Sequence, residues 1–171
     1  MNKVIVITTG GTIEKTYDEI EGTLSNRGSH LQEMLKRIRL PYTEIHHIDL
    51  LWKDSLEMTE NDREKILQTV NTFLADALPM VILHGTDTME LTAHYLYDQL
   101  SPIAIPLVLT GAMKPFGFEN SDALQNFIEA LYASQLIEPG IYISFHGALH
   151  RVPGVHKNRE KGTFETIEPA A

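Results

Sequence analysis

Residues 4–12 read Val4-Ile5-Val6-Ile7-Thr8-Thr9-Gly10-Gly11-Thr12. Four apolar β-branched residues in succession suit a strand buried on both faces, as in a parallel sheet; a half-exposed strand would alternate with polar residues. The run ends at two glycines, which let the backbone turn tightly and approach a ligand closely. The threonines around them carry hydroxyls able to bond or to attack. The same pattern recurs outward along the chain. Pro79–Leu83, Ile105–Leu109 and Ile141–Phe145 are short runs rich in Val, Ile and Leu, and Tyr42–Ile48 is a weaker strand candidate. Between them, apolar residues fall at helical spacing: Leu31, Met34, Leu35 and Ile38; Ile66, Val70, Phe73 and Leu74; Leu91, Tyr95 and Leu96; Leu124, Phe127, Ile128, Leu131 and Tyr132. Thr59 and Asp62 form a capping pair at the start of the second set. This alternation predicts an α/β fold, an open and mostly parallel sheet with helices on both faces, in a single domain over residues 1–171.

Composition narrows the function. The 171 residues leave room for one core, and 43% apolar residues are enough to fill it. A formal net charge of −9 repels phosphate backbones, so nucleic acid is not an expected partner. The absence of cysteine excludes disulfides, thiolate nucleophiles and cysteine metal sites. The apolar run at Val4–Ile7 is too short for a secretory signal or a membrane span, so the expected location is the cytoplasm, with no membrane partner. Two polar stretches, Glu14–Gly28 and from His146 to the end, lack periodicity; loops of that length in a compact domain are functional or disordered.

In an open α/β sheet, ligands bind at the carboxyl ends of the strands. Three motifs stand there: Thr8-Thr9-Gly10-Gly11-Thr12, His84-Gly85-Thr86-Asp87-Thr88 and Thr110-Gly111-Ala112-Met113-Lys114. Singly, each reads as well as a turn and helix cap, and Lys114 as a solvated charge. Three at one sheet edge form a candidate site. The glycine-rich nucleotide fingerprints are absent, as are the serine-hydrolase elbow and the paired-histidine zinc motif. His146, His150 and His156 lie close in sequence, but imidazoles at strand ends usually bond to backbone or solvent, so no metal is assigned.

Thr9-Gly10-Gly11-Thr12-Ile13 and His84-Gly85-Thr86-Asp87-Thr88-Met89 together resemble the two signatures of the bacterial-type L-asparaginases. Asp54-Ser55 with Met58-Thr59 looks like the family's substrate-binding segment, and Thr110–Pro115 like its next strand-end motif. Asp122 and Asn126 fall where the family has Asp and Asn, and Lys157 lands on its catalytic lysine. The resemblance covers nearly the whole chain and corresponds to the N-terminal domain of a two-domain fold. It implies hydrolysis of L-asparagine to L-aspartate and ammonia without a cofactor.

On that resemblance, Thr12 is the nucleophile, and Tyr17, the only tyrosine in the loop after it, assists. Thr86, Asp87 and Lys157 form a relay. Gly11–Thr12 and Gly85–Thr86 offer backbone N–H groups to an oxyanion. Asp87 takes the substrate's ammonium and Ser55 its carboxylate, with Gly11, Gly85, Thr86 and Ala112 also lining the substrate. Leu56 stands where some relatives have a polar residue. Relatives draw acidic substrate contacts from the second domain of a neighbouring subunit, so a homodimer or higher homo-oligomer is expected here. A dual glutaminase-asparaginase and a catalytically weak asparagine-binding module are the alternatives.

Overall fold

The computed structural model describes residues 1–167; residues 168–171 of the expected domain lie outside the described residues. The apolar runs form β1 (Asn2–Gly10), β4 (Thr43–Lys53), β5 (Met80–Leu83), β6 (Pro106–Thr110) and β7 (Gly140–Phe145), joined antiparallel by β8 (Ala148–Arg151). They make one six-stranded sheet in the order β4-β1-β5-β6-β7-β8, parallel except for the last strand. The helices are α1 (Leu31–Lys36), α2 (Glu60–Phe73), α3 (Met89–Leu100) and α4 (Ala123–Ser134).

Each central strand is apolar throughout because it feeds two cores. Ile5, Ile7, Ile82, Leu107 and Ile143 pack beneath α2 and α3 with Ile66, Val70 and Leu96. The alternate residues Val4, Val6, Val81, Leu83 and Val108 pack beneath α1 and α4 with Met34, Phe127 and Leu131. Thr59 caps α2 with a reciprocal capping box: its hydroxyl accepts from Asp62 N–H and its own N–H donates to Asp62 Oδ2 at 2.9 Å. The weaker strand candidate is longer than expected, eleven residues at the sheet edge.

The connections have an unusual arrangement. α2 and α3 carry the chain rightward across the sheet on one face, and α1 carries it leftward on the other. α4 also carries it rightward, yet it packs on the face of α1, so the β6–β7 crossover has the opposite hand to the other three. Crossovers share one hand in about 98% of such units, so the sheet contains a departure from the rule.

Two expectations are refined. The aperiodic stretch after β1 is a hairpin, β2 (Lys15–Asp18) with β3 (Thr23–Asn26), and the one after β8 is a second, β9 (Val155–Asn158) with β10 (Thr163–Thr166). Neither strand of the first hairpin buries an apolar face, so no period-two pattern marks it. Leu91, Ile128 and Tyr132, read as inward-facing, are exposed; α3 instead turns Met89, Thr92, Ala93 and Leu96 inward.

Phe127 is fully buried in the α1–α4 core. Phe127→Ala should cost about 3–5 kcal/mol, measured as a fall in the urea midpoint with an unchanged slope.

Candidate active site

The strand ends meet by backbone contact. Gly11 has φ +79°, and a Cβ on it would lie 2.4 Å from the Gly85 Cα. A Cβ on Gly85 would lie 2.6 Å from the Ser55 Oγ, and one on Gly111 2.2 Å from the His84 carbonyl oxygen. No side chain fits at these contacts, which stack the ends of β1, β5 and β6 and the turn at Ser55–Glu57. The turn after β1 is held from three sides: the Gly10 N–H donates to Glu14 Oε2 at 3.0 Å, Gly11 N–H to the Lys53 carbonyl at 2.8 Å, and Asn26 Nδ2 to the Gly11 carbonyl at 2.8 Å. Thr12 follows this turn. Among the described residues its hydroxyl has no hydrogen-bond partner, and the residue is partly exposed.

Threonines nearby divide into two kinds. Thr9 and Thr110 are buried and zip neighbouring strands, donating to the carbonyls of Leu83 at 2.8 Å and Ser144 at 2.7 Å. Thr86 instead bonds side chains: its Oγ1 accepts from Lys157 Nζ at 2.8 Å and donates to Met113 Sδ at 3.8 Å. The same ammonium donates to Asp87 Oδ1 at 2.8 Å. Lys157 reaches Thr86 across 71 residues of sequence because Val155 and Phe164 anchor the β9–β10 hairpin in the α2–α3 core. The Lys157 side chain is only 9% exposed. Its hydrogen bond, with its charge, holds the Asp87 carboxyl below the usual carboxylate range.

The asparaginase N-terminal family model matches residues 3–169. The chain belongs to the asparaginase family. It is 34% identical to L-asparaginase 1 of Escherichia coli K12 over 136 residues, covering 77% of this chain and 40% of that protein. It is 33% identical over 134 residues to one component of the glutamyl-tRNA(Gln) amidotransferase of Nanoarchaeum equitans, covering 77% of this chain and 33% of that one. The solved thermostable L-asparaginase of Thermococcus kodakarensis superposes with a TM-score of 0.87 at 30% identity, covering 98% of this chain and 52% of that one. The chain thus spans about half or less of the length of the relatives it matches.

The structure of this asparaginase-family chain brings Thr86, Asp87 and Lys157 into mutual contact and sets Gly11, Gly85 and Ser55 against one another. Ser55 is buried, and its Oγ has no hydrogen-bond partner. Ala112 is buried in the α1–α4 core. Tyr17 lies on the β2–β3 hairpin beside Leu24, Gly117 and Phe118, half-exposed and without a hydrogen bond to Thr12. Leu56 is exposed, and its N–H donates to Asp54 Oδ1. The three histidines do not converge. His146 bonds Asp122 at 2.7 Å and His150 bonds Thr166 at 2.9 Å; among the described residues no three acidic or imidazole groups gather as a metal site. No helix among them is long and apolar enough to cross a membrane.

Four supporting residues escape the sequence reading. Asn26 and Lys15 tie the β2–β3 hairpin to the site, Lys15 through Asp54 at 2.5 Å. Glu90 accepts the backbone N–H of Lys157 at 2.5 Å, and Arg159 donates to Asp87 Oδ1 at 2.9 Å. Only Glu90 carries a signal, as the acidic residue in the first turn of α3. His84 is buried; its Nδ1 faces the Gly85 carbonyl at 2.8 Å and so carries the proton. Its Nε2 then accepts from the Thr92 hydroxyl at 2.8 Å, whose oxygen accepts from Arg63. Burial lowers this imidazole to about 4, so it is neutral at pH 7. Asp122 is pushed the other way by burial, but the N–H groups of Met113 and Lys114 and the His146 ring hold it low, which fixes the loop carrying Met113.

Glu14 is a third buried titratable group. Burial raises its carboxyl from 4.5 to about 7, opposed by the hydrogen bond from the Gly10 N–H to Oε2, and its Oε1 has no partner. The folded chain therefore holds this proton more tightly than the unfolded one, so stability falls as pH rises from 4.5 through 7. Relative to Glu14→Gln, the wild type should lose roughly 2–3 kcal/mol over that interval. Urea titrations of both proteins across the range check this; a difference independent of pH would contradict it.

Proposed function

We propose that this chain is an amidohydrolase that cleaves the side-chain amide of L-asparagine, with Thr12 as nucleophile and Thr86, Lys157 and Asp87 as a proton relay. The observation that carries the reading is the Lys157 ammonium, almost buried and 2.8 Å from both Thr86 Oγ1 and Asp87 Oδ1. An almost buried lysine that bridges a threonine hydroxyl and a carboxylate is an arrangement for moving protons, not for stiffening a loop.

In this reading Thr12 Oγ attacks the amide carbon and gives up its proton, and the tetrahedral oxyanion is held by backbone N–H groups at Gly11–Thr12 and Gly85–Thr86. Collapse breaks the C–N bond and ammonia leaves with a proton. Water, guided by the relay, then cleaves the acyl-threonine to give the carboxylic acid and restore the Thr12 hydroxyl. The unpartnered Ser55 Oγ supports a carboxylate contact, and Asp87 Oδ2 is the oxygen left for an ammonium. Tyr17 joins Thr12 when the hairpin, tied at its base by Asn26 and Lys15, folds over the substrate. The amidotransferase relative favours glutamine as a second substrate; one methylene is worth only ~1–3 kcal/mol in a pocket.

Thr12→Ala should abolish ammonia release while leaving the unfolding midpoint within error; retention of more than about a tenth of kcat would remove Thr12 from this role. Lys157→Met and Thr86→Val should each cost similar factors in kcat, and the double variant little more, because the two act as one unit. Fully additive losses would contradict a shared relay.

We further propose that the active form is at least a dimer. Tyr17, Leu24 and Phe118 are large, apolar and exposed beside the strand ends, and a second copy of the chain covering them completes the site. The interface should bury at least ~1,000 Å². Activity per chain should fall on dilution as sedimentation shows dissociation; a fully active monomer would contradict this.

A further inference from the structure

Thr12 is enclosed by a ring that one residue closes twice. Glu14 donates its backbone N–H to the Gly11 carbonyl at 3.1 Å, and its side-chain Oε2 accepts the Gly10 N–H at 3.0 Å. Residues Thr12–Glu14 make a single 3-10 turn, and Gly11 before it has φ +79° and supplies no side-chain cap. So short a turn, entered through a left-handed glycine, has little conformational stability of its own. The Glu14 carboxyl is therefore the side chain that ties the ends of segment 10–14 together, with Thr12 at its middle.

That carboxyl sits in an unfavourable place for a charge. Glu14 is fully buried, and its Oε1 has no hydrogen-bond partner among the described residues. The charged group that acts on it is Asp49 of β4, of the same sign, whose Oδ1 takes the Thr8 hydroxyl at 2.9 Å and the Trp52 indole N–H at 2.8 Å. The nearby lysines are committed elsewhere. Lys15, next in sequence, bonds Asp54 at 2.5 Å, and Lys53, opposite Gly10 in the sheet, bonds Asp62 at 2.8 Å. His47 of β4 bonds Thr8 at 3.0 Å, and burial holds its imidazole below the usual range. His30, ahead of α1, bonds Thr16 at 2.8 Å and lies 3.7 Å from Glu33. The gain from one charge-assisted bond is smaller than the desolvation of a buried ion. The neutral acid is thus the form that fits, its carbonyl oxygen accepting from Gly10. On ionisation the carboxylate gains by turning toward water, which releases the Gly10 N–H. The same negative charge, two residues beyond Thr12, opposes an oxyanion forming at the amide carbon.

We propose that Glu14 is a positioning residue that holds Thr12 for attack only as the neutral acid, so that its ionisation switches the nucleophile off. The inference deepens the reading of Thr12 as nucleophile and rests on it. Burial places the change near neutrality, raising the carboxyl from 4.5 to about 7. The folded chain holds this proton more tightly than the unfolded one, so stability and turnover are both lost as pH rises through 7. Glu14→Gln keeps an oxygen for the Gly10 N–H and carries no charge at any pH, whereas Glu14→Leu offers no acceptor at all.

The test uses the full chain in two measurements. In ammonia-release assays on L-asparagine, the ratio of wild-type kcat to that of Glu14→Gln should fall about tenfold between about pH 6 and about pH 8, with the ratio of KM values little changed. Glu14→Leu should lose about tenfold in kcat at every pH. A merely structural acid would move the unfolding midpoint and leave the kcat ratio flat. The second measurement needs neither a variant nor turnover. By NMR of the wild-type chain, the Glu14 carboxyl carbon should titrate near 7, and protection of the Gly10 amide from hydrogen exchange should fall with it. The Gly11 amide, bonded to the Lys53 carbonyl at 2.8 Å, should keep its protection and serves as the reference. A flat kcat ratio, a Glu14 carboxyl already ionised at about pH 5, or Gly10 protection that does not follow the titration would overturn the proposal. The two readings fail distinguishably. Coupled titration of Glu14 and Gly10 with no ammonia released at any pH defeats the Thr12 reading and the switch with it; ammonia release with the same pH profile in wild type and Glu14→Gln defeats the switch alone.

Discussion

Everything at the carboxyl edge of this sheet depends on one contact between two glycines. Gly11 and Gly85 meet with no room for a Cβ on the former, and Gly85 in turn leaves none between itself and Ser55. Interiors are packed like crystals, so a methyl group inserted here must push one strand end away from the other. The distance between the Thr12 turn and the Thr86 loop is thereby set by backbone atoms alone, which have far less freedom than side chains. The Glu14, Lys53 and Asn26 bonds around Gly10 and Gly11 then fix the direction in which Thr12 leaves the contact.

A second constraint acts through charge. Lys157 arrives from a hairpin remote in sequence, and its position needs both an apolar anchor, Val155 and Phe164, and a polar one, Glu90 on its backbone N–H. An almost buried ammonium requires partners, since an unpaired charge in such a setting is strongly unfavourable. Thr86 and Asp87 supply them. The groups that would carry the chemistry are also those that make the lysine's burial tolerable, so their removal should be felt in folding as well as in turnover.

How much of this can be read from the chain follows from where the signal resides. Continuous runs such as Val4–Ile7 and Pro79–Leu83 announce strands covered on both faces, and the 3.6-residue spacing of Ile66, Val70 and Phe73 announces a helix, because burial imposes those patterns directly. The glycine-threonine motifs are legible because a close backbone contact excludes every other residue at Gly11 and Gly85. The hairpins are not: β2 and β3 bury no complete apolar face, so nothing periodic marks them. Arg159 and Asn26 stay hidden for the same reason, since each acts through a contact made by a ribbon whose register the sequence does not display. Leu91 and Tyr132 mislead in the opposite sense, being apolar residues on outward faces. The inward place on α3 belongs to Thr92, which a propensity reading would expose; its hydroxyl is needed by His84.

The reversed hand of the β6–β7 crossover has a consequence for access. The chain leaves β1 and β5 toward opposite faces, and because α4 lies on the face of α1, it leaves β5 and β6 toward opposite faces too. The loop after β5 therefore has a reversal of chain direction on either flank, where an ordinary sheet of this order would have one on one side only. Thr12 stands at the first reversal, while Thr86, bonded to Met113 of the β6 loop, stands at the second. The turn that carries Thr12 and the hydroxyl of Thr86 are thereby set on opposite flanks of one loop, neither in the path of the other. Had α4 followed the usual hand, the β6 loop would leave toward the same face as the β5 loop and the second reversal would be lost.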